Sequence, residues 1–108
     1  MPKAHPLFLE IAAALRALAC KEHTLSMGSY VGENGLTHAE EEMIEAKLGY
    51  DDLVYTLRNG KITFGELWGD VMRYTVEAIS DGVHACFIVE FSGEQRWIEI
   101  VTAFRGKE

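Results

Sequence analysis

Apolar positions recur with a helical period through the first half of the chain and with a period of two through the second. Leu7, Ile11, Leu15 and Leu18 fall on one helical stripe, widened by Phe8, Ala12 and Ala19. Pro6 suits the first turn, where a missing N–H costs nothing, so the pattern predicts a helix over 6–21. A short strand is expected within 25–31, followed by a loop through Gly32 and Gly35. Thr37-His38-Ala39-Glu40 has the form of a capping box: the threonine oxygen takes an orphan N–H and Glu40 reaches back to the cap. The helix it opens is predicted to run to about Leu48, with Gly49 ending it in the left-handed conformation. A second helix over 50–58 would bury Leu53, Val54 and Leu57. Its first turn holds Asp51 and Asp52 and its last holds Arg58, as the helix dipole prefers.

Beyond Asn59-Gly60 the period changes. A first strand is predicted over 61–66. Met72, Tyr74, Val76 and Ala78 then alternate with Arg73, Thr75 and Glu77, which predicts a sheet polar on one face. Residues 85–89 form an unbroken apolar run, as in a central strand, and 97–104 give the last strand. The short glycine-bearing connections at Gly69, Gly82 and Gly93 predict antiparallel hairpins. The expected architecture is α+β: N-terminal helices packed on a four-stranded antiparallel meander, in one domain spanning 1–108.

Composition fits that picture. A chain of 108 residues, 48% hydrophobic and 25% charged, is that of a globular domain able to bury a real core. No apolar run approaches the roughly 20 residues a membrane helix needs, so no membrane partner is expected and the cytoplasm is the expected location. Cys20 and Cys86 are too few for a disulfide framework and are expected to stay free in a reducing compartment. The net charge of −7 opposes non-specific adhesion to nucleic acid or anionic lipid, so any nucleic-acid site must be assembled locally. There is no phosphate-binding glycine loop, no nucleophile elbow and no thiol-enzyme signature.

Several local words, in order, carry a resemblance. Leu36-Thr37-His38-Ala39, Glu42-Met43, Leu48, Asp52-Leu53, Leu57-Arg58-Asn59-Gly60, Arg73-Tyr74 and Val101-Thr102-Ala103-Phe104-Arg105 resemble a bacterial domain-of-unknown-function family grouped with the RelE-like toxins. The resemblance covers about 36–105; residues 1–35 form an N-terminal helix and extension outside it. It implies two helices packed on a twisted antiparallel sheet. It also implies a toxin-like, RNA-directed role within a toxin–antitoxin system, with an antitoxin-like protein or a second copy as protein partner.

Metal-independent RNA cleavage needs an acid–base pair and cations on the phosphate. His38 and Glu42, four apart on one helical face, are the catalytic candidates. Arg58, Arg73 and Arg105 are candidates for phosphate, which guanidinium groups match bidentately, and Tyr74 for stacking on a base. All of these lie on words shared with the resembling family; no cofactor or metal is implied. Read as structure alone, His38 orders a helix start, Glu42 solvates its surface, and the arginines are solvated or paired. Glu40, Glu41 and Glu45 count against RNA lying along that face. Two other classes of function stand beside this one. Cys20 with His23, and His84 with Cys86, offer four ligands of zinc type if the two pairs meet. An interaction module without chemistry would use the N-terminal helix, Trp68 or Trp97, or an unpaired sheet edge.

Overall fold

The computed structural model describes residues 25–27, 32–33, 35–69, 71–91 and 98–106. Their elements are β1 (Leu25–Ser26), α1 (His38–Glu45), α2 (Tyr50–Asn59), β2 (Lys61–Trp68), β3 (Val71–Ser80), β4 (Val83–Phe91) and β5 (Ile98–Arg105). The predicted N-terminal helix over 6–21 lies outside the described residues.

β2 to β5 form the expected antiparallel meander. β1 then adds to the outside of β5 in parallel, Leu25 opposite Ile98, so the sheet has five strands in the order β1-β5-β4-β3-β2. The four-stranded antiparallel meander is thus as expected, and the short strand expected within 25–31 joins it at Leu25–Ser26 as a fifth, parallel strand. A parallel neighbour must be reached through a long crossover, so nothing local to the strand announces its pairing.

Each strand extends to its turn because the turns suit the twist of the sheet. Asp81 and Gly82 both have positive φ (49° and 78°), and Ser80 pairs with Val83 across them. This is the two-residue connection that matches right-handed strand twist, and glycine takes the second position without strain.

The capping box forms as predicted: Glu40 N–H donates to Thr37 Oγ1 (3.3 Å) and Thr37 N–H to Glu40 Oε1 (3.0 Å). The end of α1 differs from expectation. Lys47, not Gly49, takes the left-handed conformation (φ 57°). Leu48 N–H donates to Met43 O (2.8 Å) and Lys47 N–H to Ile44 O (3.1 Å), which satisfies two orphan carbonyls. The two apolar residues joined by the first of these bonds, Met43 and Leu48, are both buried in the core. Packing thus sets the helix end, and a lysine bears the strained dihedral. Gly49 instead opens α2 with an extended backbone, and its N–H donates to Asp52 Oδ2 (2.8 Å).

Both helices cover one face of the meander, α1 against β5 and α2 against β3 and β4. Leu53 and Leu57 of α2 meet Ile62, Tyr74, Val76, Ala85, Phe87, Val89, Ile98, Ile100 and Ala103 in one core. Burying such side chains contributes roughly 1.5–3 kcal/mol each. Asp52 fastens α2 to the sheet, for its Oδ1 accepts from Ser80 Oγ at 2.7 Å. No helix among the described residues is long and apolar enough to cross a membrane.

Candidate functional site

Strand register decides which side chains share a face. With Ser80 opposite Val83, each β3 residue has its partner fixed, and Tyr74, Val76, Val89 and Phe87 point to the helices. Arg73, Thr75, Glu77, His84, Cys86 and Glu90 therefore stand on the opposite face.

The predicted RNA-site residues divide between these faces. His38 and Glu42 lie one turn apart on α1, with His38 Nε2 3.9 Å from Glu42 Oε1 and the histidine side chain 67% exposed. That gap is longer than a hydrogen bond, and the exposure screens their interaction. Arg105, at the end of β5, reaches the same side: its Nε donates to Ala46 O (2.6 Å), and it lines an open cleft with Glu42, Glu45 and Lys47. Here the arginine supplies a donor to the unfilled C-terminal carbonyls of α1.

Arg73 and Tyr74 are placed apart from that cleft. Arg73 is on the far face, where its Nε donates to Glu90 Oε1 at 2.6 Å and its Cζ lies 4.5 Å from the centroid of the Trp68 ring. The Tyr74 ring is buried in the core, away from any surface on which a base stacks. Arg58 is exposed at the end of α2, beside Tyr55 and Asn59. The structure thus brings Glu42 and Arg105 together, with His38 one turn away, and separates Arg58, Arg73 and Tyr74 from them.

A second polar cluster lies on the far face. Glu77 stands directly opposite Cys86 in the β3–β4 pair, and His84 is diagonal to it. His84 Nε2 is 2.7 Å from Glu77 Oε1, and Cys86 Sγ donates to the same oxygen at 3.5 Å. The other carboxylate oxygen accepts from Thr63 Oγ1 on β2. Burial pushes the Glu77 carboxyl up, but the hydrogen bonds from Thr63, His84 and Cys86 and the charge of His84 outweigh it. The group ends below its ordinary value. Burial first, then the Glu77 charge and hydrogen bond, push the Cys86 thiol up to about 12. Held so, the thiol is not a nucleophile at neutral pH, because attack needs the thiolate.

The sequence-predicted pair His84 and Cys86 does share a face, joined by Glu77, which was not singled out. The signal was present in the chain. A two-residue turn at Asp81-Gly82 makes paired residues sum to one constant, which sets Glu77 against Cys86 and Arg73 against Glu90. Cys20 and His23 lie outside the described residues.

A third feature is the β2 edge. Among the described residues β2 pairs only with β3, and its pairing shifts between Ile62 and Phe64, the mark of a bulge. Beyond the bulge Phe64, Leu67 and Trp68 are 54%, 66% and 52% exposed, and Val71 and Met72 across the hairpin are exposed too.

Compared with protein-family models, curated proteins and solved structures, the chain matches none of them.

Proposed function

We propose that this chain is a protein-binding module on a RelE-like frame, which takes an extended segment of a partner onto the open edge of β2. The RelE-like part rests on the resemblance and is supported by two helices lying on one face of an antiparallel meander.

The observation that carries the binding proposal is the character of β2 after its bulge. Sheet edges are normally blunted by bulges, lysines or charges. Lys61 and the irregularity after Ile62 lie in the first half of the strand, which leaves Glu66 as the one charge in its second half. Residues 64–68 pair in regular register, and Phe64, Leu67 and Trp68 among them are apolar and exposed. A strand added there gains main-chain hydrogen bonds, with side chains alternating between the two faces for specificity. The partner is argued from charge. Glu66 is exposed opposite Arg73, whose guanidinium goes to Glu90 instead, and the chain carries −7. An incoming strand that alternates apolar residues with Lys or Arg complements this edge.

A peptide-display selection on the folded domain tests this, run beside a Leu67→Lys variant. Enrichment of basic–apolar alternating peptides on the wild type alone supports the proposal. Equal enrichment on both proteins, or none, sinks it. Concentration-dependent self-association through the same edge makes a second copy the occupant instead.

One observation favours a second reading, RNA cleavage: Glu42 and Arg105 share a cleft within one helical turn of His38. Cleavage of an RNA pool with metal chelated, lost in both His38→Ala and Arg105→Ala, would establish it.

A further inference from the structure

We propose that Glu77, His84 and Cys86 form a binding site for a zinc-type divalent cation on the sheet face turned away from α1 and α2. The ligating atoms of the three residues lie within 4.8 Å of one another. They come from adjacent strands whose register is fixed by a two-residue turn, so the backbone holds them together without help from a loop.

The donor set is one carboxylate oxygen, one imidazole nitrogen and one sulfur. Oxygen alone suits magnesium or calcium; the mixture with nitrogen and sulfur suits zinc or a similar transition metal. Around a tetrahedral zinc, with bonds of about 2.0–2.3 Å, ligand atoms sit roughly 3.3–3.8 Å apart. Cys86 Sγ and Glu77 Oε1 already stand at 3.5 Å. His84 Nε2 and the same oxygen stand at 2.7 Å and must open by less than about 1 Å, a small rotation of the carboxylate. Three protein ligands leave a fourth position for water or another donor. Binding replaces the Cys86 sulfhydryl proton by the metal and releases that proton to solvent.

The histidine is also positioned from behind. A Cβ placed on Gly106 would fall 2.3 Å from His84 Nδ1 and 2.4 Å from its Cε1. Gly106 N–H in turn donates to His84 O at 2.9 Å. With glycine at 106 the chain beyond β5 lies against the imidazole as it stands, and a Cβ there would have to turn the ring from its present setting on Glu77. Such outer support is what fixes ring orientation at metal sites. Glu77 has the same kind of support from Thr63.

The test uses the full chain in a Cys20→Ser background, which leaves Cys86 as its one thiol. Zinc is titrated against a chelating indicator, and cobalt is added to the same protein for its absorption spectrum. One zinc per chain and a thiolate-to-cobalt charge-transfer band are expected. Cys86→Ser should abolish the band, and His84→Ala or Glu77→Gln should weaken zinc binding about 100-fold or more. Gly106→Ala, which removes no ligand atom, should weaken it about 10-fold or more by turning the ring. Zinc bound equally well by folded Cys86→Ser and His84→Ala proteins would overturn the proposal. So would no zinc bound to the folded Cys20→Ser chain. Should the ligand variants fail to fold, a cobalt spectrum without the thiolate band overturns it by itself.

Discussion

Arg73 Nε lies 2.6 Å from Glu90 Oε1 across the β3–β4 pair, while its guanidinium carbon lies 4.5 Å from the centre of the Trp68 ring. One side chain therefore joins β2, β3 and β4 on the far face of the sheet. Both members of the ion pair are partly buried, so the interaction is less screened than a surface one. Arg73→Ala is expected to lower stability by about 1–2 kcal/mol. A double-mutant cycle with Glu90→Ala should return about 1 kcal/mol of coupling. Denaturant titration of the four proteins measures both; an arginine held only for phosphate binding would leave stability unchanged.

The meander, the capping box and the two helices were legible because each has a local cause. Period-two alternation, a threonine three residues before a glutamate, and glycines at turns all act within a few residues. Two features were not. A short strand within 25–31 was expected, but its parallel pairing with β5 is made through a long crossover and leaves no local signal. The end of α1 is set by burial of Met43 and Leu48, a tertiary cause that overrode the nearby glycine. In the candidate sites, the pairs within one element, His38 with Glu42 and His84 with Cys86, were readable from their spacing, yet which elements bring their side chains together was not. Arg73 and Tyr74 are neighbours in sequence, so a strand sends them to opposite sides. Glu77 was readable in principle from the turn register.

Lys47 carries φ 57° at the end of α1. A side chain in that conformation costs roughly 1 kcal/mol, which glycine avoids. Lys47→Gly should therefore raise stability by about 0.5–1 kcal/mol. Thermal unfolding reads the sign directly. A loss would mean that the lysine side chain contributes more than its backbone strain costs.

Gly60 is required for space rather than for dihedral freedom. A Cβ there would fall 2.4 Å from Thr56 O and 2.7 Å from Glu77 O, both backbone atoms with little room to move. Gly60→Ala is expected to cost about 1–3 kcal/mol by forcing α2 away from β3. The same substitution at Gly82, where a Cβ meets nothing within 4 Å, acts only through its positive φ of 78°. Comparing the two by urea denaturation separates crowding from backbone strain.

The Glu77–Cys86 contact predicts opposite pH effects in the metal-free chain. The folded thiol is pushed from 9.0 up to about 12, so the native state keeps a proton that the unfolded chain gives up. Stability should then fall as pH rises above about 9 towards 12. Glu77 is held below its ordinary 4.5, so its contribution is present above that pH and is lost as pH falls below it. Glu77→Gln should reduce both arms, the alkaline one only in part, since burial remains the first cause at Cys86. The melting temperature across pH shows both arms. In the Cys20→Ser chain with chelator, alkylation of Cys86 at pH 8 should be far slower than in the unfolded chain, and faster in Glu77→Gln.

The binding proposal rests on five consecutive backbone positions, so it is best tested there. Amide hydrogen exchange of the wild-type domain would be followed with and without a selected basic–apolar peptide. The edge-facing amides within residues 64–68 are expected to slow by about tenfold or more at saturating peptide, with the α1–β5 cleft unchanged. Protection along α1 and at Arg105, with β2 left as open as before, would contradict the account and move the binding site to the cleft of Glu42 and Arg105.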